Sequence, residues 1–128
     1  MKTISMLFLL CILTACGSAS ADDPGKAGIF FPDVVGELKT IYAAAQECAG
    51  LKGDSFENLH IEFVSKFFSC PDDASKLCVG RYDSPNRVTL LYIDAFQHEA
   101  IHHLFYINFG QSDSGHTDPV WQKDCAKI

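Results

Sequence analysis

The sequence predicts a small α+β domain, and three observations carry that reading. From Val34 to Ala49 the apolar residues Val34, Val35, Leu38, Ile41, Tyr42, Ala45 and Cys48 recur every third or fourth position, the period of one buried helix face. Between Leu59 and Ile93, short apolar runs are separated by Pro, Asn, Asp and Ser, the pattern of strands and their turns. From Asp94 onward a second helical period appears in Ala100, Ile101, Leu104, Phe105 and Ile107. The predicted order is an N-terminal helix, a short antiparallel sheet of about three strands, a second helix and a tail.

Ahead of the first helix the chain reads as an export signal. Met1 to Ala15 holds one lysine and then a nearly unbroken apolar run from Ile4 to Leu13, too short to span a bilayer and suited to a secretory h-region. Leu13-Thr14-Ala15-Cys16, followed by Gly17 and Ser18, resembles the bacterial lipobox. That resemblance implies cleavage before Cys16 and a membrane anchor through lipid on Cys16. Gly17 stands where aspartate signals inner-membrane retention, so the expected location is the bacterial cell envelope, on the periplasmic side of an outer membrane if the host has one. Residues 16–33, with their Ser, Ala, Asp, Gly and Pro content, read as a lipidated flexible tether, and residues 34–128 as the folded domain.

Net charge of −6, without a basic patch, argues against nucleic acid and against charge-driven lipid binding. One domain of this length has a modest core, and a monomer is expected. Once Cys11 leaves with the signal and Cys16 is lipidated, Cys48, Cys70, Cys78 and Cys125 remain, an even number in an oxidising compartment. Of the three possible pairings, Cys70 with Cys78 and Cys48 with Cys125 is expected: the first closes a short loop, the second ties the tail to the first helix. No CxxC occurs, which disfavours a cysteine zinc site.

Asp33 reads as the cap of the first helix, which should stop near Gly50. Leu59, Ile61 and Phe63 then alternate with His60, Glu62 and Val64, so His60 and Glu62 read as solvated strand residues. Cys78 to Tyr82 and Val88 to Ile93 are two further strands, joined by a turn at Asp83-Ser84-Pro85-Asn86-Arg87. The second strand leads into Asp94, which with Gln97 reads as a capping box, and Gly110 offers the C-terminal stop.

That second helix carries His98-Glu99-Ala100-Ile101-His102. Two histidines four apart project from one face, a spacing that a single metal ion can bridge, while Glu99 stands beside the ion, free to take a proton from a water it activates. A catalytic zinc site needs a third protein ligand and an open fourth position. No glutamate follows Glu99, so the third ligand is sought in the tail, where His116 is favoured over Asp118, with Asp113 behind both. His103 points about 100° away from His102 around the helix and reads as packing or as support for a ligand. Tyr82, Tyr92, Tyr106 or His103 are candidates for stabilising an oxyanion.

HExxH at His98 to His102, with the Cys48 to Leu51 neighbourhood, Cys78-Val79-Gly80, Gly115-His116, Pro119, Trp121 and Cys125, resembles the zincin metallopeptidases and small bacterial lipoproteins predicted to be metallopeptidases. Phe105 and Asn108 stand where the metzincin pattern wants glycine and a third histidine, so that subfamily is excluded. The resemblance implies a small zincin-like domain that binds Zn2+ through His98, His102 and His116, with Glu99 as general base, and a peptide or protein substrate in the envelope. A sheet edge near the metal would pair with that peptide. The alternatives are a zinc-binding envelope lipoprotein without turnover and an interaction module.

Overall fold

The computed structural model describes residues 32–71 and 73–128, so the expected signal at 1–15, the expected lipidation at Cys16 and nearly all of the expected tether at 16–33 lie outside the described residues. Among the described residues the fold is α+β: two α-helices, a three-stranded sheet and a two-stranded ribbon. Helix α1 spans Pro32–Ala49 and helix α2 Phe96–Phe109; the strands are β1 His60–Phe63, β2 Phe68–Ser69, β3 Leu77–Cys78, β4 Gly80–Asp83 and β5 Arg87–Leu90. Among the described residues no helix is long and apolar enough to cross a membrane.

Helix α1 buries Leu38, Tyr42, Ala45 and Cys48 of the stripe that its periodicity predicts, with Val34 and Ile41 half-buried and Val35 exposed. It begins earlier than expected. Pro32 opens the helix, where its missing N–H costs nothing, so Asp33 is a helical residue rather than the cap. Gly50, with a φ of 67°, ends the helix in the left-handed conformation that glycine adopts without strain.

The sheet has the order β1-β5-β4 and is mixed, which corrects the antiparallel expectation. β4 and β5 form the expected antiparallel hairpin, pairing Gly80 with Leu90 and Tyr82 with Val88. β1 lies parallel to β5, pairing Ile61 with Val88 and Phe63 with Leu90. A parallel pair needs a long crossover, and the β2–β3 ribbon together with β4 supplies it. Central β5 buries Val88, Thr89 and Leu90, as a strand covered on both faces must. Phe63, at the end of edge strand β1, stays 47% exposed despite its place in the apolar alternation.

The strand expected over Cys78 to Tyr82 is broken at Val79. Cys78 pairs with Phe68 in the ribbon and is disulfide-bonded to Cys70, which draws this part of the chain out of the main sheet. Both expected disulfides are present, Cys70–Cys78 and Cys48–Cys125. The second joins residues 77 apart and clamps the tail onto α1.

Helix α2 is the centre of the molecule. Phe96, Ala100, Ile101 and Leu104 are fully buried among α1, the sheet and the tail residues Val120, Trp121 and Ala126. Its start differs from the expected capping box. A 3-10 turn, Ile93–Ala95, runs straight into α2, and no side chain caps the helix. Ala95 and Phe96 are buried in the core, so packing sets this entry and leaves exposed Asp94 without a capping role. Gly110, with a φ of 75°, is the expected stop, its amide bonding the Tyr106 carbonyl at 2.7 Å.

Candidate metal centre

His98, Glu99 and His102 lie on the first turns of α2, and His116 lies in the loop that follows it. The loop folds back so that one ring nitrogen from each of His98, His102 and His116 falls within 4.8 Å of the others. Three imidazoles at that spacing are close enough to hold one metal ion.

Their hydrogen bonds orient them for it. His98 Nδ1 donates to the Ala126 carbonyl and His102 Nδ1 to the Ser112 carbonyl, each at 2.7 Å. A carbonyl only accepts, so the proton of each ring sits on Nδ1 and each Nε2 keeps a free lone pair. Nε2 of His116 is 3.1 Å from Nε2 of His102. Two nitrogens bound tetrahedrally to zinc at ~2.0–2.1 Å would be roughly 3.3 Å apart, so this edge of the triangle is near its bound length. Burial pulls the His102 imidazole down to about 4, with the neighbouring His98 and His116 adding to the shift against the Ser112 bond. His98 is lowered as well, by burial first. Neutral imidazole, the form a metal requires, is therefore the resident state.

Trp121 forms the floor. Its ring centroid is 4.9 Å from that of His98, 4.5 Å from His102 and 4.4 Å from His116. The indole N–H donates to Asp113 at 2.7 Å.

Glu99 is only 4% exposed and lines the same cleft as the three histidines. Burial pushes its carboxyl up to about 8, helped by the charge of Asp83 and opposed by a hydrogen bond from the Tyr82 amide. The space it occupies exists because residue 80 is glycine. A Cβ on Gly80 would lie 2.5 Å from Glu99 Oε1 and 3.0 Å from the Ala95 Cβ. β4 can thus run directly over the carboxylate.

The cleft is open, with a volume of about 870 Å³, and is walled by β4 on one side and the tail on the other. On its rim stand exposed Leu77 and Ile128. Because Arg81 and Asp83 alternate with Gly80 and Tyr82, and Leu91 donates to the Val79 carbonyl, the ladder to β5 uses the odd-numbered residues. The backbone groups of Gly80 and Tyr82 accordingly face the free edge of the sheet.

The other candidates fall away from the cluster. Asp118 caps the turn Pro119–Gln122, accepting from the Val120 amide at 2.8 Å, and is not among the gathered ligands. Asp113 is not a ligand either, but its carboxylate organises the loop. His103, 1% exposed, bonds Asp54 at 2.9 Å and packs between Tyr42 and Tyr82, which makes it a structural residue. Of the tyrosines, Tyr92 and Tyr106 do not line the cleft, and the hydroxyl of Tyr82 is committed to the Pro85 carbonyl at 2.5 Å. His60 and Glu62 are exposed on β1, away from the cleft.

Sequence reasoning missed what supports the ligands. The carbonyls of Ser112 and Ala126 carry no side-chain signal at all. Asp113 carries a faint one, since an aspartate ahead of Ser-Gly-x-Thr in a loop often bonds the backbone downstream. Comparison of the chain with protein-family models, curated proteins and solved structures returns no match.

Proposed function

We propose that this chain is a zinc-dependent peptide hydrolase of zincin type, held to the bacterial cell envelope by lipid on Cys16. The observation that carries the reading is the pairing of three imidazoles, two with Nε2 left free by backbone hydrogen bonds, with a buried carboxylate in one open cleft. Nitrogen donors of this kind suit Zn2+, and the openness of the cleft leaves a coordination position for substrate or water, as catalysis requires. The ion supplies Lewis acidity towards a carbonyl and towards water.

Glu99 is the general base. In the metal-free chain burial keeps its carboxyl mostly protonated at neutral pH; the charge of a bound ion beside it would favour the carboxylate, which receives the proton of the attacking water and passes it to the leaving amine. An extended peptide is held along the free edge of β4, where the outward backbone groups of Gly80 and the Tyr82 carbonyl supply pairing partners, with apolar side chains against Leu77 or Ile128. Acting on envelope proteins or peptidoglycan peptides is consistent with the export signal.

The test is Glu99→Gln. Hydrolysis of a mixed peptide library should fall by at least ~10³-fold while bound zinc stays at the wild-type level. Full activity in that variant would refute Glu99 as the base.

A further inference from the structure

Very little of the loop carrying the third imidazole is left to chance. Asp113 Oδ1 accepts from the Thr117 amide at 3.1 Å and the Thr117 hydroxyl at 2.6 Å. Its Oδ2 accepts from the Asp118 amide at 2.9 Å and the Trp121 indole at 2.7 Å. Burial alone would raise this carboxyl, but those bonds outweigh it and hold the group well below the usual carboxylate range, so it is an acceptor on both oxygens. Asp113 has a φ of 50° and His116 of 52°, left-handed conformations that non-glycine residues keep only when their surroundings over-determine them. The same carboxylate pins the indole that touches all three imidazoles. It also adjoins Ser112, whose carbonyl sets the His102 ring.

We propose that Asp113, acting through Trp121 and the left-handed turn at His116, is the positioning residue that preassembles the three imidazoles for a divalent transition-metal ion. This rests on reading the histidines as a metal site. Their rings already face one another before any ion arrives, because the loop is locked from Asp113. Binding therefore need not pay for ordering that loop.

The experiment is a cobalt(II) titration of the full-length protein, wild type beside Asp113→Asn and Trp121→Phe, read by the cobalt d–d spectrum and by unfolding midpoint. Asn keeps one acceptor oxygen but turns an NH2 towards two of the four donors. Phe keeps an aromatic ring, though a smaller one, and leaves the Asp113 charge in place, but loses the indole N–H. Cobalt affinity should fall on the order of 10- to 100-fold in Asp113→Asn and several-fold in Trp121→Phe, with a spectrum shifted towards higher coordination as the His116 ligand is lost. The sole tryptophan of the chain gives a second signal: in metal-free Asp113→Asn its emission should move to the red. Wild-type affinity and spectrum in either variant, with only a lowered unfolding midpoint, would overturn the proposal and leave the metal site standing. If Asp113→Asn does not fold, Trp121→Phe decides alone. Failure of the unsubstituted protein to bind cobalt would overturn the metal reading itself, and the proposal with it.

Discussion

Glu99 shows what the site costs the fold. Its carboxyl moves from an ordinary 4.5 to about 8 in the folded chain, first because it is buried and then because Asp83 is near. A raised pKa means that the associated stability is fully present below 4.5 and is lost as pH rises through 8. In the metal-free protein the cost at pH 7 is on the order of 3 kcal/mol. Gln mimics the protonated acid, so metal-free Glu99→Gln should be more stable than metal-free wild type at pH 7 and indistinguishable from it at pH 4. His98 and His102 act in the opposite direction, since their lowered pKa values make stability fall as pH drops below 6.5, but they do so in both proteins and cancel from the comparison. Chemical denaturation at the two pH values measures the difference, and equal stabilities at pH 7 would show that the carboxylate is not strained by burial. Gly80 belongs to the same economy of space. Only a residue without a side chain lets β4 pass over Glu99.

At the level of elements, the tail is as much a part of the histidine cluster as α2. Ala126, whose carbonyl orients His98, follows Cys125, and Cys125 is bonded to Cys48 on α1. Lys123 reinforces the clamp by donating to the Cys48 carbonyl at 2.6 Å. Replacing Cys48 and Cys125 together by serine should therefore do two things: destabilise the fold by roughly 4 to 5 kcal/mol, as expected for so long a loop, and weaken zinc binding about tenfold. Replacing Cys70 and Cys78 should cost roughly 2 to 3 kcal/mol and leave zinc affinity alone, because the ribbon only borders the cleft. Isothermal titration with zinc on both double variants checks this, and an unchanged affinity without the long-range disulfide would refute the link. Helix α1, α2 and the hairpin were legible because local periodicity and turn chemistry specify them. Three features were not. The parallel partner of β5 comes from a distant stretch, the break at Val79 comes from a disulfide, and the entry to α2 comes from burial of Ala95 and Phe96 rather than from Asp94.

For the molecule as a whole, the class α+β followed from the order of periodic segments, and the gathering of His98, His102 and His116 from a motif plus the lack of any later glutamate. What holds the ligands did not follow, because Ser112 and Ala126 act through backbone carbonyls and Asp113 reaches Trp121 only once the loop is folded. The proposed anchor adds a second requirement, that the site be carried on a lipidated Cys16. Cys16→Ser should abolish labelling by a fatty-acid analogue, with zinc content unchanged. Undiminished labelling in that variant would contradict the lipobox reading. The measurement that bears most directly on the central claim is the zinc content of the purified protein by elemental mass spectrometry, with His116→Ala alongside. About one zinc per chain in the wild type, reduced or lost in the variant, is the predicted result. No zinc in the wild type after reconstitution at neutral pH would contradict it.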